Sequence, residues 1–281
     1  RVRGRRVLVR RARLPGEAGR VTALALLGTR RAMRVVERNT RSYLRMWPAF
    51  ISGFFEPAFY LFSIGIGVGA LVGQLPGPDG TLVDYDQYVA PAMMAVAAMN
   101  GCIFDTTFNF FARYKYAHTY DGMLATPLSV DDVARGELTW ALLRGVMQAT
   151  AFFLTMWVMG LAPSPWAVLS IPGAALIGFA FAGAGLGLTT YMRSFFDFDY
   201  VGLAIVPLFL FSATFFPLDQ YPPALEWIVR ISPLYQGVAI ERALVLGSPS
   251  PVLLLHAAYL VAMGWFGLRG AGRRLGRMLL P

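Results

Sequence analysis

Long apolar windows recur along this chain, and they constrain its fold more than any other feature of the sequence. A helix needs about 20 predominantly apolar residues, at about 1.5 Å per residue, to cross a hydrocarbon layer roughly 30 Å thick. The six windows are residues 47–72, 88–111, 138–159, 168–191, 201–216 and 252–268, the fifth being long enough only if Asp199 and Tyr200 lie at the interface. We therefore predict an all-α membrane protein with six transmembrane helices, in agreement with its 56% hydrophobic and 15% charged residues.

The positions of arginine and lysine predict how these helices are oriented. Fourteen of the 25 basic residues precede Trp47, whereas residues 73–87 and 160–167 contain none. Basic residues are concentrated in loops on the cytoplasmic side of a membrane. We therefore expect both termini in the cytoplasm, with the protein in the plasma membrane. With this placement the basic residues that give the net charge of +9 lie beside membrane lipids. No nucleic-acid partner is therefore expected.

The first 45 residues divide into two parts. Residues 1–20 are arginine-rich and lack the apolar stretch of a cleavable signal peptide, so we expect a flexible basic tail. Residues 21–45 are predicted to form an amphipathic interface helix on the inner leaflet, followed by a transmembrane domain at residues 46–281. A solvated charged helix with no further role is the alternative. The arginines that recur at spacings of four and three, and so share one face, are Arg30, Arg34, Arg38, Arg41 and Arg45.

The loop after the second window is predicted to contain a short helix at residues 116–124. Thr126-Pro127 ends it, because proline disfavours helical geometry in the residue before it. Ser129 followed by Asp132 fits the capping arrangement of a new helix. Exposed apolar groups on such a loop indicate a partner site, and those expected here are Tyr120, Met123 and Leu124.

Residues 217–247 contain two further helical patterns, each begun by a proline suited to a first helical turn. They run from Pro223 to Ile231 and from Pro233 to Leu246, with Gly247 as the terminator. Neither is long enough to cross a membrane, yet both are too apolar for a loop in water. We predict an outer re-entrant helical hairpin.

Several polar residues fall inside the apolar windows, where a charge costs at least about 2.5 kcal/mol. We expect a local ion-pair network in which Arg144 meets Asp105 or Glu56. A proton relay through these groups, or a substrate path along residues 100–109, is the alternative. The members of this intramembrane polar cluster are Glu56, Asn100, Asp105, Asn109 and Arg144.

The sequence offers little support for catalysis or metal binding. Ser212 and His256 are candidates for a nucleophile and a base, but no third orienting residue accompanies them. A single cysteine, Cys102, excludes an intrachain disulfide and a multi-cysteine metal site. No GxxxxGK[ST] motif is present, so no nucleotide cofactor is expected in this chain. Glycines 183, 185 and 187 fit close helix approach rather than a nucleotide loop.

Three stretches carry a family resemblance. They are Glu56-Pro-Ala-Phe-Tyr-Leu-Phe, Tyr120-Asp-Gly-Met-Leu-Ala-Thr-Pro-Leu-Ser, and Phe216-Pro-Leu-Asp-Gln-Tyr-Pro-Pro before Ser232-Pro-Leu. In order, spacing and membrane side, these stretches resemble the permeases of type-2 ABC exporters, most closely the lipo-oligosaccharide (nodulation-factor) and multidrug-type permeases. The resemblance covers nearly all of the chain after about residue 25, and residues 1–20 fall outside it.

The resemblance implies a six-helix half that dimerises with an identical or paralogous half. It also implies a separate ATP-binding subunit, in two copies, which carries ATP and Mg and receives the short loop helix as a coupling helix. The coupling positions would be Tyr120, Asp121, Met123 and Leu124, with a rigid exit at Thr126, Pro127 and Leu128. Substrate would pass between the halves along the second and fifth helices. Aromatic residues suited to such a path, although packing explains them equally well, are Phe108, Phe209, Phe211, Phe215 and Phe216.

The expected function is therefore outward transport of a lipid-linked saccharide, a glycolipid or a hydrophobic drug from the cytoplasm or inner leaflet. A proton-coupled secondary transporter using Glu56 or Asp105 is the alternative, although such proteins often contain an internal repeat, which is not found here. An intramembrane enzyme is the third possibility. Copurification of an ATPase would distinguish the ATP-driven exporter from the secondary transporter and from the enzyme.

Overall fold

The computed structural model describes residues 30–45, 55, 59, 61–63 and 67–279. The basic tail, Glu56 and most of the first apolar window lie outside these residues, and the predictions made for them stay predictions. The helices of the described part are α1 Arg30–Leu44, α2 Tyr85–Lys115, α3 Thr119–Leu124, α4 Val130–Val158, α5 Ser170–Thr189, α6 Asp199–Leu210, α7 Pro223–Ile231, α8 Pro233–Leu246 and α9 Val252–Leu279.

Four helical segments of the described residues are long and apolar enough to cross a membrane. They are α2, α4, Pro165–Thr189 (α5 with the 3₁₀ turn before it) and α9. Tyr114 Oη donates to the Met278 carbonyl at 3.0 Å, so the last turns of α2 and α9 meet at one end of the bundle. We call this the basic end; it is the end at which residues 115–130 lie. The other is the opposite end.

The fifth predicted crossing, residues 201–216, is not a continuous helix. α6 has 12 residues and spans about 18 Å, which is too short to cross a membrane. Pro207 lies inside it and lacks the amide that would bond one turn back, and Ala213 adopts a left-handed φ of 52°. The expectation of a helix reaching Phe216 is therefore wrong, because apolar composition alone does not distinguish a helix from buried irregular chain.

Arg242 of α8 donates hydrogen bonds to backbone carbonyls of the irregular chain that follows α6. Its Nη2 donates to the Ala213 carbonyl at 2.9 Å and to the Thr214 carbonyl at 3.5 Å, and its Nε donates to the Tyr88 carbonyl at 3.2 Å. The guanidinium also lies 3.7 Å from the centroid of the Tyr88 ring. Non-helical backbone at membrane depth requires donors of this kind. Arg242 thus joins α8, α2 and the end of α6 at the opposite end.

The predicted hairpin of α7 and α8 is confirmed in its bounds but differs in burial. α7 exposes Trp227, Ile228 and Ile231, as expected of an interfacial helix. α8 is instead largely buried against α2, α5 and α9. Glu241 of α8 is fully buried, and neither carboxylate oxygen has a hydrogen-bond partner among the described residues.

A short antiparallel sheet modifies the all-α prediction. Gln74–Pro76 (β1) pairs with Leu82–Asp84 (β2), with Leu75 opposite Val83. The connecting turn uses Gly80 at a φ of 81°, a conformation that glycine adopts without steric cost. The hairpin lies just before α2, in the segment that lacks basic residues. The rest of the described chain is mainly helical.

The core is arranged around α2. Within its most apolar window 89% of the residues are buried, compared with 11% in α9, so α2 is central and α9 is peripheral. α4, α5 and α8 surround α2, and α1 lies against α4 at the basic end. A Cβ at Gly136 of α4 would lie 2.5 Å from the Cβ of Val35, so glycine permits the close approach of α1.

α5 and α9 also touch through glycines. A Cβ at Gly183 would lie 2.4 Å from the Gly264 carbonyl oxygen, and a Cβ at Gly267 would lie 2.4 Å from the Gly183 carbonyl carbon. The backbones are therefore in direct contact. This confirms the prediction that the glycines around position 183 serve close helix packing.

We predict that Gly267→Ala lowers the melting temperature of the detergent-solubilised protein, because the added methyl must push α5 and α9 apart. Overpacking of this kind costs about 1–3 kcal/mol. The matched control is Gly272→Ala on the same helix, where an added Cβ meets nothing within 4 Å. Thermal unfolding of the two variants tests this, and equal melting temperatures would contradict the proposed contact.

Candidate functional site

α2 contains a π-helical turn at Asp105–Asn109, near the basic end. Such a turn widens the helix and leaves backbone carbonyls without their usual donors. Here Thr106 Oγ1 donates to the Cys102 carbonyl at 2.9 Å, and Thr107 Oγ1 donates to the Ile103 carbonyl at 2.5 Å. Thr189 of α5 donates to the Thr106 carbonyl at 2.9 Å. Hydroxyl groups therefore stabilise the turn, which positions Asp105.

Two acidic and two basic side chains meet beside this turn, and we call them the charged cluster: Asp105, Arg113, Glu137 and Arg144. Arg113 Nη2 lies 2.9 Å from Asp105 Oδ1, and Arg113 Nη1 lies 2.5 Å from Glu137 Oε2. Arg144 Nη1 lies 3.4 Å from the same Asp105 oxygen. Both carboxylates are almost fully buried, and the formal charges balance.

The predicted ion pair between Arg144 and Asp105 is confirmed by this geometry. Asn109, also predicted, donates from Nδ2 to Asp105 Oδ1 at 2.7 Å. Asn100 lies more than a turn before Asp105, and its side-chain oxygen is buried without a hydrogen-bond partner among the described residues. The polar cluster of the sequence analysis is thus brought together only in part.

Sequence reasoning missed Arg113 and Glu137, which make the shortest ion pair of the charged cluster. Arg113 follows the second apolar window, so it was expected in the loop after it. In the structure its Nε donates to the Asn109 carbonyl at 3.0 Å, and its side chain is 16% exposed. The available signal was spacing: Arg113 follows Asp105 by eight residues and Asn109 by four, so all three share one helix face. Glu137 carried no comparable signal within its own helix.

Hydrogen bonds extend the charged cluster to α1 and α3. Asn39 Nδ2 of α1 donates to Glu137 Oε2 at 3.1 Å. Arg38 donates from Nη1 to Asn39 Oδ1 at 3.0 Å and from Nη2 to Thr119 Oγ1 of α3 at 3.4 Å. Arg38 is therefore turned partly inward, whereas the other arginines of the predicted stripe are exposed: Arg30, Arg34, Arg41 and Arg45.

Tyr120 is anchored inside the protein, so the expectation that it is exposed is wrong. Its side chain is 1% exposed, and its ring lies 4.9 Å from that of Phe110. Burial and the nearby Glu137 carboxylate raise the pKa of Tyr120 well above its usual value, so the phenol stays protonated. Tyr120 thus fixes α3 to α2 through its packing on Phe110.

The remaining positions of the loop are accessible to different degrees. α3 begins at Thr119 rather than at residue 116, because His118 adopts a left-handed φ of 45°. Asp121, Thr126 and Pro127 are exposed, whereas Met123, Leu124 and Leu128 are partly exposed. The predicted cap of α4 is confirmed, since the amide of Asp132 donates to Ser129 Oγ at 3.1 Å.

The five phenylalanines of the predicted substrate path lie in two places. Phe108 packs against Phe104, Phe195 and Phe198, with ring centroids 4.9 to 5.8 Å apart, near the basic end. The others lie at or beyond the end of α6, where Phe209 contacts Phe215 at 5.1 Å and Phe215 contacts Phe216 at 6.5 Å. Phe211 directly follows Leu210, the last residue of α6.

Ser212 and His256 form hydrogen bonds with other residues in the described structure. Ser212 Oγ contacts the Leu208 carbonyl and Ser232 Oγ, whereas His256 Nδ1 contacts Gln236 Oε1. The geometry therefore gives no support to a nucleophile and base pair. A search of the described residues also finds no group of His, Cys, Asp and Glu suited to a metal ion.

Sequence comparison identifies relatives over most of the chain. Residues 31–246 match the family described as ABC-2 type transporter. The chain is 31% identical over 243 residues to Nodulation protein J of Neorhizobium galegae, covering 85% of this chain and 90% of that protein. For Nodulation protein J of Rhizobium leguminosarum bv. viciae the identity is 32% over 208 residues, covering 73% and 78%. With this coverage and the four membrane-crossing segments, the chain belongs to the ABC-2 type transporter family of membrane transport proteins.

Proposed function

We propose that this chain is the membrane permease subunit of an ATP-driven exporter whose ATPase is a separate polypeptide. The observation that carries the proposal is the continuous set of hydrogen bonds from the loop helix α3, through Arg38 and Asn39 of α1, to the buried Glu137. A partner that displaces α3 would act on α1, α2 and α4 together. The chain itself contains no GxxxxGK[ST] motif, so ATP and Mg would bind to that partner.

The surface that receives the ATPase is formed by α3 and the turn that follows it. Asp121, Thr126 and Pro127 are exposed there, and Met123 and Leu124 keep part of their apolar surface accessible. Partly exposed apolar groups surrounded by polar ones are typical of a protein interface. Tyr120 serves as an internal anchor of this surface rather than as a contact position.

The complex contains two permease halves, identical or paralogous, and two copies of the ATPase. The basic end faces the cytoplasm, because Lys115, Arg135, Arg193 and Arg274 lie at that end and residues 73–87 at the other end contain no basic residue. Both termini are then cytoplasmic, and the hairpin of α7 and α8 is on the outer side of the plasma membrane.

The proposed substrate is an amphiphilic molecule, such as a lipid-linked saccharide, a glycolipid or a hydrophobic drug. Relatives named Nodulation protein J, together with the resemblance to lipo-oligosaccharide permeases, favour the saccharide-bearing members of this group. The aromatic group at Phe209, Phe211, Phe215 and Phe216 would line the outer part of the path, and Phe108 the inner part.

A proton-coupled transporter is less well supported by the described residues. Asp105, one of its two candidate carriers, accepts hydrogen bonds from Asn109 and Arg113 and is paired with Arg144. These contacts make the Asp105 carboxylate one member of a structural ion-pair network. Transport that continues when the ATP site of the partner is disabled would refute the exporter proposal.

We predict that Asp121→Arg and Leu124→Asp weaken binding of the ATPase by more than about fivefold, because central interface residues contribute over 1 kcal/mol each. The control is Asp131→Arg, the same charge reversal at an exposed position in the first turn of α4. Copurification and ATPase stimulation in proteoliposomes measure the effect. Wild-type stimulation in both α3 variants would exclude α3 as the docking element.

We predict that Arg113→Gln strongly destabilises the permease, because it leaves two buried carboxylates without their main partner. Loss of one member of a buried pair costs about 3–5 kcal/mol. The control is Arg41→Gln, which removes the exposed pair with Glu37 and costs about 0–1 kcal/mol.

Adding Glu137→Gln to Arg113→Gln should restore part of the lost stability, since one of the unpaired charges is then absent. Thermal unfolding of the single and double variants measures this coupling. Independent, additive losses would show that the two side chains do not form the pair described here.

A further inference from the structure

Two adjoining cavities lie at the basic end between α1, α2 and α4. The larger has a volume of about 490 Å³ and the smaller about 210 Å³. Tyr43, Trp140 and Arg144 line both, so the two cavities are direct neighbours that share these three side chains. The larger alone is within the range of about 300–1,000 Å³ that is typical of ligand pockets.

The larger cavity is cationic. Arg38, Arg113 and Arg144 line it, together with polar groups such as Asn109 and Ser42, and none of its lining residues is acidic. Asp105 and Glu137 lie behind this lining, where they pair with Arg113. Three guanidinium groups against two carboxylates leave an excess of positive charge, and that excess faces the cavity.

Arg144 has hydrogen-bonding capacity that the described residues do not use. Its Nε and Nη1 are buried without a hydrogen-bond acceptor among them, the ion pair of Nη1 with Asp105 being 3.4 Å long. Its guanidinium lies 4.8 Å from the centroid of the Tyr43 ring, which holds it at the junction of the two cavities. Arg144 lines both cavities, so its positive charge would attract an anionic oxygen placed in the larger one.

The smaller cavity is apolar. Leu44, Leu143, Met147 and Trp140 line it, and all but Trp140 keep much of their surface exposed. It extends from the Arg144 junction along α4, away from the basic end. A hydrocarbon chain in this groove would cover apolar surface that the described residues leave open.

We propose that the two cavities form a binding site for one anionic membrane phospholipid, with its phosphate at Arg38 and Arg144 and an acyl chain along Leu143 and Met147. The positive charge of the larger cavity favours an anionic headgroup, and the apolar groove favours a headgroup that carries a hydrocarbon chain. The site lies where α1 meets α4, near one end of the membrane-crossing segments, as expected for a phosphate at the surface of the hydrocarbon layer. It does not depend on the exporter proposal.

The test is native mass spectrometry of the full-length, delipidated permease in detergent, with phosphatidylglycerol and phosphatidylcholine of identical acyl chains. One phosphatidylglycerol should be retained per chain, at least about fivefold more tightly than phosphatidylcholine, since one basic residue near a membrane contributes about 1 kcal/mol. Equal retention of the two lipids would refute the headgroup assignment.

Matched variants locate the site. Ser42→Glu should reduce phosphatidylglycerol retention whereas Ser42→Gln should not, because the two differ only in charge and Ser42 is exposed. Arg38→Gln should reduce retention about fivefold, whereas Arg34→Gln, an exposed arginine on the same helix, should leave it unchanged. Met147→Trp, which fills the groove, should reduce retention, whereas Leu154→Trp on the same helix should not.

Two further outcomes would overturn the proposal. Displacement of phosphatidylglycerol by inorganic phosphate at equal concentration would mean that the cavity takes a free anion and that the groove contributes nothing. Equal losses in the control variants Arg34→Gln and Leu154→Trp would mean that the lipid is held by general attraction to the protein surface. Melting temperatures recorded for every variant separate lost binding from lost folding.

Discussion

The guanidinium of Arg113 bridges two buried carboxylates, and the basic end of the protein is organised around it. Asp105 and Glu137 belong to different helices, and a buried charge at this depth is costly unless an opposite charge lies beside it. The bridge therefore fixes the distance between α2 and α4. Through Asn39 it also fixes α1, and Arg38, which donates to Asn39, donates as well to Thr119 of α3. Four elements that are separate in the sequence share one electrostatic centre.

A second buried arginine has a comparable role at the opposite end, with backbone instead of carboxylates as its partner. Arg242 donates to the carbonyls of Tyr88 and Ala213, which belong to α2 and to the irregular chain after α6. Guanidinium groups are well suited to this because they offer five donors in a fixed plane. At the basic end Arg113 also donates to the Asn109 carbonyl of the π-helical turn, and at the opposite end Arg242 donates to the Ala213 carbonyl of the irregular chain. Each arginine thus pairs backbone groups that leave the regular helical pattern.

Local signals in the sequence predicted a large part of this architecture. The bounds of α7 and α8 follow from Pro223, Pro233 and Gly247, and the start of α4 follows from Ser129 and Asp132, because each residue acts within one helical turn. The pairing of Arg144 with Asp105 followed from the cost of isolated charges in a membrane.

The remaining features depend on contacts between distant residues. Residues 211–216 belong to a window apolar enough for a helix, yet they are irregular, and Arg242, 29 residues after Ala213, donates to their carbonyls. Glu137 looked like an ordinary polar residue because its partners lie on α1 and α2. The burial of Tyr120 likewise requires Phe110 and Glu137 to be in place. A single sequence does not report such contacts.

The π-helical turn at Asp105–Asn109 also sets the rotational phase of α2. A π-helical turn accommodates one residue more than an α-helical turn would, and each residue of an α-helix advances it by about 100°. Everything after the turn, including Arg113, is therefore rotated about the helix axis relative to where an unbroken α-helix would place it. Tyr85–Phe104 is buried on nearly every side, so the turn changes the direction of the residues that follow it rather than the apolar contacts before it. With this rotation included, the side chain of Arg113 reaches Glu137 of α4.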